Sequence, residues 1–232
     1  MCKRESLEVR LLSEEYVDEL LQVQNVIVET MPRKDLYYPE TKENYYRWLS
    51  NQENGFGLGA FTGNKMVGYF VLYYPGDHDE NLGLEIDINS QELNQVARWG
   101  LIAVESKYRQ SGIVREMVNQ GIEILQKRQR RHFCGTVSPH NYSSLKMVFG
   151  YGFTIKKIVD KFGNLTRCIV HRDMDKPISS PIDSVAVDHN DVETQKYLIT
   201  QGFYGYSLRK NDGGYYILYG HDSGGDESGN ER

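Results

Sequence analysis

The sequence predicts an α/β chain of the mixed α+β kind, on three observations. Strand-like runs and amphipathic helical stretches alternate along most of the 232 residues. Turn residues join paired apolar runs into hairpins around Gly63-Asn64-Lys65 and around Phe162-Gly163-Asn164. Between the hairpins, an apolar run passes through a short polar turn with Gly112 into a long helical pattern. A chain of this length makes one sizeable domain, or one domain with a small appendage.

Residues 7–12 (LEVRLL) alternate as a first strand. Ser13 then caps a helix whose Tyr16, Leu20, Val23 and Ile27 recur at three- and four-residue spacing, and Met31-Pro32 breaks it. A second helix is predicted from Lys42 to Asn51. Residues 57–62 (GLGAFT) and 66–74 (MVGYFVLYY) form the first hairpin, ended by Pro75-Gly76-Asp77. Residues 77–97 are acidic and irregular, with Glu85 and Asp87 alternating as on a strand. Residues 98–104 (RWGLIAV) are a strand and Gly112–Gln129 a helix with Ile113, Met117, Ile122 and Leu125 on its apolar side. Phe133–Val137 is a strand, Asn141–Gly150 a short helix, and Phe153–Val159 with Leu165–His171 the closing hairpin. Pro177 and Pro181 flank Ser179-Ser180 as a linker-like break. Residues 183–219 read as strand, helix, strand, strand, and the Gly/Ser-rich acidic tail from Asp222 reads as disordered.

The net charge is -5, from 27 Lys and Arg against 32 Asp and Glu. That balance argues against a nucleic-acid partner, which selects a basic face. The dense basic run Lys127, Arg128, Arg130, Arg131 ends a helix, where cations meet the negative end of the dipole. The three cysteines, Cys2, Cys134 and Cys168, are odd in number and widely spaced, which indicates neither a disulfide framework nor a metal site. No apolar leader opens the sequence and no run approaches the ~20 apolar residues of a membrane helix. The expected location is the cytoplasm, with no membrane partner.

The chemistry concentrates at residues 101–125. A helix start leaves N–H groups unpaired at the positive end of the dipole, so the turn before this helix suits a phosphate or pyrophosphate. Gly112 removes a side chain where such a group would press on the backbone, and Arg109 adds a cation. By itself the pattern is common in α/β proteins.

The run VESKYRQSGIV (Val104–Val114) resembles the acyl-CoA-binding signature of the GCN5-related N-acetyltransferases (GNAT): Val104, Arg109 and Gly112 match, and Val114 departs from the family's Gly or Ala. A second run, HNYSSLKMVFGYGF (His140–Phe153), resembles the family's Asn-x-x-Ala/Ser…Gly-Phe segment at Asn141, Ser144, Gly152 and Phe153. The resemblance implies a mixed, mostly antiparallel central sheet flanked by helices. It covers residues 7–175 and implies an acyltransferase domain over 1–175; the residue pattern then makes 176–221 a β-α-β-β extension packing on or extending the sheet and 222–232 a tail. It implies acetyl-CoA as cofactor, held by Ile102, Ala103, Val104, Arg109, Gln110, Ser111, Gly112, Ile113, Val114, Arg115, Asn141 and Ser144, and no metal. The implied activity is transfer of an acetyl group to an amine of a small molecule or peptide; the alternative is an acyl-CoA-binding module without catalysis.

The acid and base are less legible. Where many relatives carry a tyrosine, seven residues after the asparagine, stands Val148. The signature strand has no carboxylate. Candidate catalytic groups are Glu85, Asp87, Glu105 and Tyr142, with His78 and His140 behind them, each also readable as surface or structural. Tyr37, Tyr38, Tyr45, Tyr46 and Trp48 either line an acceptor pocket or pack against the hairpin, and Asp77, Asp79 and Glu80 would suit a cationic amine. Finally, Asp191, Thr194, Gly202 and Phe203 repeat the spacing of Asn141, Ser144, Gly152 and Phe153. That echo is expected to extend the sheet, to complete the acceptor pocket or to pair two chains as a homodimer.

Overall fold

The computed structural model describes residues 7–76, 80–177 and 181–222. Cys2, Asp77, His78, Asp79, Ser179-Ser180 and the predicted disordered tail beyond Asp222 lie outside these residues. The chain divides into two compact units, residues 1–135 and 136–232.

The first unit carries β1 (Leu7–Leu12), α1 (Val17–Thr30), α2 (Lys42–Leu49), β2 (Gly55–Thr62), β3 (Lys65–Tyr73), α3 (Leu82–Glu85), β4 (Val96–Val104), α4 (Ile113–Lys127) and the start of β5 (His132–Val137). Strands β1 to β4 pair in chain order, each antiparallel to the next. β5 then adds to β4 in parallel, as a crossover through α4 requires. α1 and α2 cover one face with Leu20, Val23, Ile27, Tyr45 and Trp48 packed against Phe61, Tyr69, Val71 and Tyr73. α4 covers the other face through Ile113, Met117, Val118, Gly121 and Leu125. Ile122, expected on that buried side, is replaced there by Gly121, where a Cβ would lie 2.9 Å from the Phe70 ring. The missing side chain lets the helix approach the sheet.

Three local expectations change. Ser13 makes no side-chain cap and precedes a short 3-10 turn, Glu14–Tyr16, so α1 starts at Val17. Thr41 is a working cap, its hydroxyl accepting from Asn44 N at 3.2 Å. Glu85 and Asp87 do not lie on a strand. Asn81 caps a single helical turn, α3, through Gly83 N at 2.8 Å, and Asp87 sits at φ 58, a left-handed conformation no strand can hold. Much of the basic run is engaged within the unit. Arg128 donates to Gln52 O at 2.8 Å and to the Tyr74 hydroxyl at 3.1 Å, Arg130 lies 4.0 Å over the Tyr74 ring, and Arg131 pairs with Glu92. Among the described residues no helix is long and apolar enough to cross a membrane.

The second unit carries α5 (Tyr142–Gly150), β6 (Thr154–Lys161), β7 (Leu165–Asp173), β8 (Ile182–Asp188), α6 (Val192–Thr200), β9 (Tyr204–Asn211) and β10 (Gly214–His221). β6 pairs antiparallel with β7, and β10 pairs antiparallel with both β9 and β8. The sequence echo is a backbone echo. Asn141 Oδ1 accepts from Ser144 N at 3.1 Å, and Asp191 Oδ1 accepts from Thr194 N at 3.1 Å. Both helices end in the same glycine-based turn: Gly152 and Gly202 have φ 77 and 84, and Phe153 N→Val148 O and Phe203 N→Leu198 O are each 3.1 Å.

Buried polar groups hold the first unit in register. The Gln24 side-chain oxygen accepts from Tyr45 OH at 2.6 Å, Tyr37 OH at 3.1 Å and Glu40 N at 3.1 Å, and Tyr37 OH lies 2.6 Å from Tyr69 OH. Gln24→Met keeps the volume and removes the acceptor, leaving the Tyr45 hydroxyl and the Glu40 amide without the oxygen they donate to. We expect a loss of about 1–3 kcal/mol in urea unfolding; a loss under about 0.5 kcal/mol would show that the hydroxyls find other acceptors.

Burial pushes the Cys134 and Cys168 thiols up to about 12, from an ordinary 9.0. The folded state therefore prefers the protonated thiols. Their contribution is whole below pH 9 and is lost as pH rises towards about 12. The buried tyrosines, raised by the same desolvation, act in the same direction. The urea midpoint should fall steadily over that alkaline window; a flat midpoint would contradict it.

Candidate functional site

The site begins with a misalignment between β3 and β4. Phe70 pairs with Ile102 and Leu72 with Trp99, so Val71 alone faces both Gly100 and Leu101. This is a β-bulge in β4. A Cβ on Gly100 would lie 2.4 Å from the Val71 carbonyl oxygen, so only glycine fits. On the opposite edge of β4 the parallel ladder with β5 runs from Val96↔His132 to Trp99↔Gly135 and ends there. β4 continues to Val104, and its side chains change from buried at Val96–Trp99 to half-buried at Leu101–Ala103. The strand is thus paired on both edges up to the bulge and leaves the β5 ladder beyond it.

At the far end of β4 the chain tightens. Glu105 N donates to Val67 O at 2.9 Å, Ser106–Tyr108 form a 3-10 turn, and Arg109 Nε donates back to Val104 O at 3.2 Å. Gln110 and Gly112 have φ 65 and 92. The Ser111 hydroxyl donates to Tyr108 O at 2.7 Å and accepts from Ile113 N at 3.3 Å. The first helical bond of α4 is Glu116 N→Gly112 O, so the preceding amides have no partner within the helix. Arg109, Gln110, Ser111, Gly112 and Arg115 are exposed, and nothing lies within 4 Å of a Cβ built on Gly112. Exposed amides, a positive dipole end, an arginine and an open glycine fit a diphosphate. Ile113 is buried under this turn and Val114 half-buried beside it.

The remaining predicted residues fall as follows. Asn141 and Ser144 are joined as helix cap and capped amide at the start of α5. Tyr142 stands edge-on to Tyr215 at 5.1 Å with Lys210 5.0 Å over its ring, a packed position within the second unit. His140 meets His189 edge-on at 5.7 Å in the same cluster. Val148 is core, 1% exposed. Glu105 is 13% exposed and pairs with Lys65 at 3.2 Å, at the loop end of β4. Glu85 closes α3 and Asp87 is exposed on the turn after it. No distance links these groups into one cluster.

On the α1/α2 face of β3 and β4, sequence reasoning missed most of the polar residues. Leu101 and Ala103 pack against the aromatic core there, beneath Tyr69 and Tyr45. Tyr45 and Trp48 are core, Tyr37 is half-buried, and Tyr38 and Tyr46 are exposed, so the aromatic segment splits between packing and surface. Burial pushes the Tyr37, Tyr45 and Tyr69 hydroxyls far above an ordinary phenol, and the negative Glu40 pushes them the same way. Glu40 is half-buried and accepts from Asn44 Nδ2 at 2.7 Å. Arg98, in the same signature strand, is buried beside Tyr73. Only the i,i+3 pairing of Leu20 with Val23 and the flanking Gln24 hinted that a polar group enters this core.

The sequence model of the acetyltransferase (GNAT) family matches residues 19–153. No curated protein matches the chain. Among solved structures, the chain is similar to a ribosomal-protein-alanine N-acetyltransferase from Brucella melitensis, at 20% identity and TM-score 0.53 over 72% of this chain and 99% of that one. It is similar to an N-acetyltransferase from Staphylococcus aureus Mu50, at 15% identity and TM-score 0.54 over 73% and 99%. It is also similar to yncA from Salmonella typhimurium with its cofactor acetyl-CoA, at 13% identity and TM-score 0.55 over 77% and 99%.

Gly112 gives the anion site a direct test. Asp and Asn both tolerate the left-handed conformation at comparable cost, and only Asp brings a negative charge. CoA should bind Gly112→Asp at least ~10-fold more weakly than Gly112→Asn by calorimetry, about 1.4 kcal/mol; equal affinities would remove the assignment. The match across more than half of the chain, the shared fold and the open amides at α4 together place the chain in the GNAT acetyltransferase family, which uses acetyl-CoA.

Proposed function

We propose that the chain transfers the acetyl group of acetyl-CoA to a primary amine of a small molecule or peptide, by direct attack of the amine nitrogen on the thioester carbonyl. The observation that carries this reading is the bulge at Gly100–Leu101, where β4 leaves the β5 ladder while remaining bound to β3. Acetyl-CoA supplies the activated acyl group. The chain's own work is positional. Main-chain groups of Ile102, Ala103 and Val104 are available to pair with an extended amide-bearing arm, and the amides from Gln110 to Arg115, with Arg109, receive the diphosphate. The resemblance alone assigns Asn141 and Ser144 to the same cofactor.

In the transfer an N–C bond forms, the C–S bond breaks, the amine gives up a proton and CoA leaves as its thiol. A thiol with an ordinary pKa of roughly 8–9 needs no dedicated acid, which agrees with a buried apolar Val148. For the amine proton, Glu40 joins Glu85, Asp87, Glu105 and Tyr142 as a candidate group, because it is half-buried and its amide shares the Gln24 oxygen with Tyr37 and Tyr45. The domain limits of 1–175 and 176–221, a cytoplasmic setting and a second copy of the chain as partner belong to the same proposal. The free Cys134 and Cys168 support the cytoplasmic setting.

Incubation with acetyl-CoA and a panel of primary, secondary and tertiary amines should release thiol with at least one primary amine and none with the tertiary ones. Mass spectrometry should find the product heavier by one acetyl group. Tight CoA binding with no turnover across the panel would instead establish the non-catalytic binding module.

A further inference from the structure

The α1/α2 face of β4 carries a fixed positive charge. Arg98 is 8% exposed and brings a guanidinium to it. One nitrogen, Nη1, donates to the Glu80 carbonyl at 3.2 Å, and the group lies 5.9 Å from the Tyr73 ring centroid. Both partners are neutral. The Glu80 carboxylate is turned to an exposed pair with Arg47 at 3.5 Å. Among the described residues no carboxylate pairs with Arg98, and none of its nitrogens is both sealed and unbonded. The remaining N–H groups are therefore not fully sealed, in a side chain that is largely buried. The Glu40 and Glu80 charges reach the Tyr73 hydroxyl beside it, but neither carboxylate bonds Arg98. A guanidinium with donors left over is a fork shaped for a carboxylate.

The register places this fork relative to the bulge. Arg98 pairs with Tyr73 and Ala103 with Tyr69, so Arg98, Leu101 and Ala103 share the α1/α2 face. From Arg98 to Leu101 the strand advances about 10 Å, at roughly 3.3 Å per residue. If the thioester end of the cofactor lies at the bulge, as under the proposed function, an acceptor amine there has a guanidinium within one short chain of it.

We propose that Arg98 binds a carboxylate of the acceptor, so that the substrate is a primary amine carrying a carboxylate group. This rests on the acetyl-transfer reading. The same charge disfavours diamines and polyamines, whose second ammonium would face Arg98 unpaired. Acceptor carboxylates come from free amino acids or from peptides, and the two share this chemistry.

The test compares ω-amino carboxylates of increasing chain length with the matching alkylamines and diamines, and a dipeptide with its C-terminal amide. Wild type should favour the carboxylate-bearing amine by at least tenfold in kcat/KM, mainly through KM. Arg98→Gln should lose that preference, Arg98→Lys should recover part of it, and CoA affinity should not change in either. Preference for the dipeptide over its amide would assign the peptide source; preference confined to the amino carboxylates would assign the free one. Turnover with no preference for a carboxylate, or a preference retained in Arg98→Gln, would overturn the proposal. A binding readout separates it from the transfer reading: an N-acetylated amino carboxylate should bind the CoA-loaded wild-type protein and bind Arg98→Gln at least tenfold more weakly. If that difference holds while no amine is acetylated, the transfer reading fails and the anion site stands; if it is absent, the anion site fails.

Discussion

The candidate site hangs on a single steric fact, the 2.4 Å between the Val71 carbonyl and the position where a Cβ would stand on Gly100. With a side chain there, β4 could not place two residues against one on β3. A regular β4 would keep its β3 register and would have no local reason to leave β5 after Trp99. The bulge also resets which residues face which helix. Before it Arg98 lies with Tyr73, and after it Leu101 and Ala103 lie with Tyr69 on the same face. One residue of slack therefore frees an edge of the strand and collects a cation, an apolar floor and a tyrosine hydroxyl on one side.

That side is tied together by a chain of side-chain hydrogen bonds. Gln24 Oε1 receives protons from Tyr45, Tyr37 and the Glu40 amide. Tyr37 has then given its proton away, so the hydrogen in the 2.6 Å contact with Tyr69 comes from Tyr69. All three phenols are committed within the core, where Tyr45 and Tyr69 are fully buried. Burial raises all three hydroxyls far above an ordinary phenol, so they stay neutral and hold these bonds.

Periodicity and turn chemistry made most of the fold legible. Both hairpins, β4, α4 and the β8–α6–β9–β10 order follow from apolar spacing punctuated by Gly, Asn and Pro. The loop at Arg109–Gly112 was legible for a sharper reason, because a helix start has fixed electrostatics whatever its tertiary setting. The bulge was not legible, since Gly100 in an apolar run looks like any strand glycine until the facing carbonyl is known. The strand expected at Glu85–Asp87 failed because alternation over a few residues is equally compatible with Asn81 capping one helical turn. Gln24, Glu40 and Arg98 were invisible as a set because polar residues in separate elements meet only through packing.

The second unit shows what a repeated local code can build. Fifty positions separate the two capped helices, yet cap, glycine turn and following strand recur bond for bond. The two copies also interlock: β6 meets β9 at Ile155↔Gly205, α5 packs on β9, and α6 packs on β6. Each motif packs its helix on a strand of the other. β6 is thereby paired on both edges, and the terminal strand becomes β8. That strand is guarded against further pairing by Pro181 before it, by Asp183 at φ 52, and by a register shift at Tyr219/His221 on its partner.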